Sequence, residues 1–184
     1  MRREDRKDKG VDPRKEFLIK RYKHGRVLNV GCGRLYIDGA VNFDIRPDIK
    51  TDVIGDFHHL PFKNESFNTI FAFDIIEHTK APEVLLNELL RVKHKNGNII
   101  IECLDFDLCP QNWKNDSTHK TYFNKEIFTN FLSKKDFSCF DFGKEMLIAI
   151  KKPKLFDKFL CFVYRNLKSL KYLIVFEGRK KNER

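Results

Sequence analysis

Apolar residues along this chain fall into two kinds of run, and the two kinds alternate. Unbroken runs, VLNV at Val27–Val30, TIFAFDII at Thr69–Ile76 and NIIIECL at Asn98–Leu104, have the pattern of strands buried on both faces of a parallel sheet. VNFDI (Val41–Ile45), TDVIGD (Thr51–Asp56) and SCFDF (Ser138–Phe142) are shorter strand candidates. Between them, apolar residues recur at helical spacing. Leu85, Leu89 and Val92 follow Pro82, with Asn96-Gly97 as the expected stop, and Ile127, Phe128, Phe131 and Leu132 follow an Asn124 cap. A basic amphipathic helix precedes the first strand, bracketed by Asp12 as N-cap, Pro13 at the first helical position and Gly25 just past the end. Near the C-terminus, Phe156, Phe159, Leu160, Val163, Leu167 and Leu170 repeat at helical spacing ahead of a closing strand at Tyr172–Glu177. Strands alternating with helices predict an α/β domain whose mostly parallel sheet is covered on both faces.

The alternation fails first between the opening two strands. Only Arg34–Ala40 separates the glycine turn after the first strand from the second strand, whereas a crossover with a full helix takes at least about 10–12 residues. The pattern therefore predicts a loop or a single helical turn there, ended by Gly39.

Composition changes this picture little. The 184 residues, 41% of them hydrophobic, suffice for one domain with a substantial core. The net charge of +10 is uneven: residues 1–26 carry +6 and residues 151–184 carry +8, leaving −4 in the middle. Basic ends of this kind are either solvated tails or weak contacts for an anionic membrane surface or RNA. The C-terminal apolar pattern reads in the same two ways, as a helix packed on the domain or as a basic, aromatic surface element. The opening MRREDRKDKG is charged throughout, and no apolar run approaches the roughly 18 residues of a membrane span, so a cytoplasmic protein is expected. Five cysteines show neither a CxxC pair nor zinc spacing, which leads to the expectation of reduced thiols and no metal.

Chemistry is expected at the carboxyl ends of the strands. Gly31–Gly33, Asp44, Asp56 and Asp74 stand there. Glycines let backbone N–H groups approach a ligand, and an ionised Asp offers acceptors only, suited to ribose hydroxyls or an exocyclic amine. The quartet VLNVGCG, VNFDI, GDFHHLPFKNESFNTIFAFDIIEH and ELLRVKHKNGNIII resembles the class I S-adenosylmethionine-dependent methyltransferases, in particular the methyltransferase type 11 group. The short loop followed by Asn-x-Asp-Ile is similar to a subgroup linked to polysaccharide and lipopolysaccharide synthesis. The resemblance implies a Rossmann-like, doubly wound, mostly parallel seven-stranded sheet with helices on both faces and a shortened first crossover. It also implies a domain over residues 27–184, with residues 1–26 as a basic helix and tail. S-adenosyl-L-methionine would be held by Asn29, Gly31, Cys32 and Gly33 at the first turn, by Asp44 and Ile45, by Asp56 and Phe57, and by Asp74. This sequence has Asn29 where the family often has Asp, lacks the third glycine of the loop, and has Lys95-Asn96-Gly97 in place of Lys-Pro-Gly.

Methyl transfer from a sulfonium asks chiefly for positioning, but a hydroxyl acceptor also calls for a base. His119, in a segment NDSTHKTYF similar to the Asp-Pro-Thr-His stretch of related enzymes, and His78, beside Glu77, are the candidates. Packing within the loops is the competing reading for both, and for Tyr122. The expected activity is methyl transfer to a small-molecule, glycan or lipid-linked acceptor. The alternative is a non-catalytic methyltransferase-fold module that binds nucleic acid or a protein partner through its basic ends. Intact Gly31, Gly33, Asp44 and Asp56 favour the enzyme.

Overall fold

The computed structural model describes residues 11–133, 135, 137–142 and 146–151. The strands are β1 (Val27–Val30), β2 (Val41–Asp44), β3 (Val53–Ile54), β4 (Phe67–Phe73), β5 (Lys93–Leu104), β6 (Phe137–Phe142) and β7 (Met146–Lys151), and the helices are α1 (Pro13–Tyr22), α2 (Pro82–Val92), α3 (Pro110–Lys114) and α4 (Lys125–Ser133). They build one seven-stranded sheet in the order β3-β2-β1-β4-β5-β7-β6. The first five strands pair in parallel, and β7 runs antiparallel to both β5 and β6. This is the Rossmann-like sheet expected from the sequence. Its chain order reverses between β1 and β4, which places a ligand crevice at their carboxyl ends.

Period-two alternation sorts the strand residues between two cores. Leu28, Val30, Ile70, Ala72, Ile99 and Ile101 pack with Leu85, Leu89 and Val92 of α2 and Phe128 and Leu132 of α4. On the opposite face, Val27, Phe71, Phe73 and Ile100 pack with Phe17, Leu18 and Tyr22 of α1 and with Ile37 of the short loop. Asp12 caps α1 by accepting from the Arg14 N–H at 2.9 Å, and Asn124 caps α4 by accepting from the Ile127 N–H at 2.9 Å. Of the apolar residues assigned inward on α4, Ile127 is exposed.

The chain between β1 and β2 contains no helix. A buried amide network holds it instead. Asn29 Nδ2 donates to the Leu35 carbonyl at 2.7 Å and to Asn42 Oδ1 at 3.0 Å, Asn42 Oδ1 also accepts from the Ile37 N–H at 2.9 Å, and Asn42 Nδ2 donates to the Ile37 carbonyl at 3.1 Å and to Asp52 Oδ2 at 2.9 Å. Asp52 in turn accepts from the Tyr36 hydroxyl at 2.8 Å. Donors at Asn29 and Asn42 thus satisfy the carbonyls that a helix would have paired internally. An Asp at position 29 has no such donor, which explains the departure from the family residue.

Two boundaries differ from the sequence reading. Helix α2 ends at Val92, because Lys93 is already extended and pairs with Phe67, so Asn96-Gly97 lies inside β5 rather than stopping the helix. The ladder is irregular there, and a Cβ on Gly97 would meet the Asn68 carbonyl oxygen at 2.8 Å, so only glycine admits the neighbouring backbone. The seventh strand is MLIAIK at Met146–Lys151, which the reading passed over in favour of Tyr172–Glu177. That segment lies outside the described residues, as do residues 1–10, the apolar repeat from Phe156 to Leu170 and Cys161. Among the described residues, no helix is long and apolar enough to cross a membrane.

Candidate functional site

Leaving β1, the chain turns through Gly31 at φ +64° and Gly33 at φ +55°, the left-handed region that glycine enters without a Cβ penalty. A Cβ on Gly31 would lie 2.5 Å from Ile75 Cδ1, so the turn packs directly against the chain leaving β4. Asp44 ends β2 and locks this turn. Its carboxylate accepts from the Gly33 N–H at 2.8 Å, from the Arg46 N–H at 3.0 Å and from Arg46 Nε at 3.2 Å. Burial alone would raise this carboxyl, but the Gly33 and Arg46 bonds outweigh it and hold Asp44 below its ordinary value. Beside it, Ile45 is exposed and Cys32 is buried in the turn with its N–H on the Phe43 carbonyl. Burial pushes the Cys32 thiol up, away from nucleophile chemistry.

Asp56 follows β3. Its Oδ1 accepts from the His58 N–H at 2.9 Å and sits 2.7 Å from His58 Nδ1, and the His58 N–H holds it below its ordinary value. The ring of His58 lies against Phe57 and reaches Thr79 Oγ1 at 2.7 Å, tying the β3 and β4 loops together.

Asp74 follows β4 at φ +49°, a conformation that Asp tolerates better than most residues and that recurs at functional sites. Lys15 of α1 donates to Asp74 Oδ2 and stands 4.0 Å from Glu102 of β5, whereas the buried Oδ1 of Asp74 has no hydrogen-bond partner among the described residues. Two fully buried acids complete the cluster. Burial, reinforced by the Asp74 charge, pushes Glu102 up to about 8 and Glu77 well above the usual carboxylate range. The opposed charges of Asp74 and Glu102 raise Lys15 against its own burial. Neither Lys15 nor Glu102 carried a motif signal. Their roles follow from the faces of α1 and β5 that meet in this corner.

The raised Glu102 pKa has a definite consequence for stability. Between the unfolded value near 4.5 and about 8, the folded protein holds a proton that the unfolded chain has released, so this contribution is complete below 4.5 and is lost as pH rises through 8. Glu102→Gln keeps the shape without titrating. Its stability relative to wild type is expected to rise steadily from pH 5 to pH 8 in thermal unfolding, and a constant difference would show that Glu102 stays ionised.

The two candidate histidines, placed on separate loops, come together. His78 lies in a 3-10 turn (Ile76–His78), and its ring centroid is 4.7 Å from that of His119. Thr118 Oγ1 donates to Asp116 Oδ1 and lies 2.9 Å from His78 Nδ1. His119 Nδ1 lies 2.8 Å from the Trp113 carbonyl and, since a carbonyl only accepts, carries the proton. The lone pair of neutral His119 is therefore on Nε2. Burial and the neighbouring His119 lower His78, keeping it neutral at physiological pH. Around them, the Trp113 ring lies tilted against His119 with centroids 5.3 Å apart, and Phe106 touches both Trp113 and the half-exposed Tyr122.

A family model described as a methyltransferase domain, type 11, matches residues 10–101, half of the chain. The chain belongs to this methyltransferase domain family. S-adenosylmethionine is the methyl donor that membership implies. The chain is 28% identical to the uncharacterized protein MJ1123 of Methanocaldococcus jannaschii, over 66% of this chain and 64% of that protein. A second protein of the same organism, the uncharacterized MJ0638, is 26% identical over 66% of this chain and 57% of its own length. The chain thus spans less than two thirds of the length of these relatives. Its fold matches that of a SAM dependent methyltransferase from Archaeoglobus fulgidus with a TM-score of 0.64, at 18% identity over 76% of this chain and 91% of that one.

The site residues fit this donor on one structural ground. The donor is a cation at its sulfonium and its ammonium, and at the end of β4 the Asp74 carboxylate, whose Oδ2 takes Lys15, keeps a buried Oδ1 with no hydrogen-bond partner among the described residues, next in sequence to Ile75, against which Gly31 packs.

Proposed function

We propose that the chain transfers a methyl group from S-adenosylmethionine to a hydroxyl of a small-molecule, glycan or lipid-linked acceptor. The observation that carries this reading is the buried Asp74 Oδ1, without a hydrogen-bond partner among the described residues, after β4, at the sheet edge where the glycine turn, Asp44 and Asp56 follow β1, β2 and β3. When bound, the donor supplies a methyl already activated on a sulfonium, which leaves as a neutral thioether.

The chain's own residues do the rest. Gly31 and Gly33 present backbone to the methionine end, and Asp74 answers its positive charge. Asp44, kept ionised, retains acceptor capacity for ribose hydroxyls beyond its bonds to Gly33 and Arg46. Asp56 and Phe57 supply an acceptor and an aromatic face for the adenine. Cys32 and Ile45 fill the space around the turn, and Asn29 acts through the loop it holds. Lys15 places α1 over the donor end and contributes to excluding water. On the acceptor side, Nε2 of His119 takes the hydroxyl proton, with Trp113 fixing the ring and His78 against it. The glycan or lipid-linked preference is supported by the abbreviated loop and by Val41–Ile45, and the exposed Tyr122, packed through Phe106 and Trp113 to His119, offers apolar surface near the histidines.

Calorimetry tests the donor site. S-adenosylmethionine is expected to bind the wild type, and Asp44→Ala, which strips the Gly33 N–H of its partner, to weaken binding by about 1–3 kcal/mol. Absence of binding to the wild type rejects the reading. Labelled donor incubated with metabolite, glycan and RNA extracts then reports the acceptor class by where label is incorporated.

A further inference from the structure

We propose that His78, His119 and Asp116 form a binding site for a divalent first-row transition-metal ion, of which zinc is the representative case. One ligand atom from each of the three lies within 4.8 Å of the others. Ligands held about 2.1 Å from a tetrahedral ion stand roughly 3.4 Å apart. The site closes by a contraction of somewhat more than 1 Å, and Asp116, exposed on a surface loop, has the freedom to supply it.

Hydrogen bonding around the cluster supports the ligand assignment. The Trp113 carbonyl takes the Nδ1 proton of His119 and leaves Nε2 as the donor atom. For His78 the same follows through Thr118. Its hydroxyl has one proton, which goes to Asp116 Oδ1, so it accepts from His78 Nδ1–H and again leaves the lone pair on Nε2. Backbone carbonyl and hydroxyl partners on the far ring nitrogen are the arrangement that fixes the tautomer of metal-binding histidines. Asp116 Oδ1 is taken by the Thr118 N–H and hydroxyl, and Oδ2 has no bond to any described residue. Two imidazoles and one carboxylate make a mixed N/O set suited to Zn²⁺, Co²⁺ or Fe²⁺. Three protein ligands leave a fourth position open, where a coordinated hydroxyl would lose its proton to solvent more readily than in water. With an ion bound, the Nε2 lone pair of His119 is committed to the metal, and this polarisation would replace proton removal by the ring, which is the role of the metal-free site.

The test needs neither methyl donor nor acceptor, so its outcome is separate from that of the methyl-transfer reading. Tag-free protein stripped with a chelator and titrated with Co²⁺ alone is expected to develop a visible d–d band that Zn²⁺ abolishes by displacement. Asp116→Asn, at an exposed position and with an amide oxygen still able to accept from Thr118, and Thr118→Val, which removes the link between ring and carboxylate, should each weaken Zn²⁺ binding in calorimetry by about tenfold or more. His78→Gln should remove the band. Absence of the band in the wild type, or wild-type zinc affinity in any of the three variants, overturns the proposal.

Discussion

Replacing His119 with Ala is expected to lower turnover by roughly 10²- to 10⁴-fold while leaving the affinity for S-adenosylmethionine nearly unchanged. The separation of effects follows from position. His119 and its neighbours Trp113 and His78, with Thr118 bonded to His78, belong to the segments after Ile75 of the β4 connection and after β5, whereas the proposed donor contacts gather at the β1 turn, the ends of β2 and β3, and Asp74 at the start of the β4 connection. A proton taken by Nε2 in the transition state is lost to the variant. The donor keeps every group that faces it. Initial rates with an identified acceptor, set beside donor calorimetry, check both halves. Normal turnover would make the ring a packing element against Trp113, and weakened donor binding would move His119 to the other side of the crevice.

The second large effect concerns stability. Asn29→Asp is expected to destabilise the fold by about 3 kcal/mol, although it restores the residue common in the family. Asn29 is buried, and its amide donates to the Leu35 carbonyl and to Asn42 Oδ1. A carboxylate would set acceptors against acceptors there. Protonation would relieve only one of the two contacts and would require the group to stay neutral at physiological pH, so the loss is expected to be larger at pH 8 than at pH 4. Urea unfolding at the two pH values measures it. A loss below about 0.5 kcal/mol would show that the loop does not depend on the amide.

Most of the fold was legible because its signals are local. The apolar runs at Val27–Val30 and Asn98–Leu104, the Asp12 and Asn124 caps and the missing helix between Gly33 and Val41 need only spacing and turn chemistry. What escaped depends on partners distant in sequence. Asn96-Gly97 has the chemistry of a helix stop, but the start of β5 is set by Lys93 pairing with Phe67. MLIAIK has no alternation to mark it, and its identity as a strand comes from antiparallel pairing with β5 on one side and β6 on the other. The same division runs through the candidate site. Carboxylates at strand ends can be counted along the chain. That Lys15 would meet Asp74, 59 positions away, or Thr118 meet His78, 40 positions away, cannot. Asp116 and Thr118 lie within the NDSTH segment already singled out for His119, so the signal for the cluster was present without a reason to pair it with His78.

The short connection between β1 and β2 also bears on how the sheet assembles. The entropy of bringing two strands together grows only logarithmically with the chain between them, by about 0.6 kcal/mol per doubling. Residues 31–40 are all that separate these strands, so their parallel register closes a smaller ring than either β1 with β4 or β4 with β5. Parallel pairing is ordinarily the slow, late event of an α/β fold because each ladder waits for a helix to span it. Here two ladders, β1–β2 and β2–β3, wait for no helix, and this corner offers a nucleus of low contact order onto which the rest of the sheet can grow.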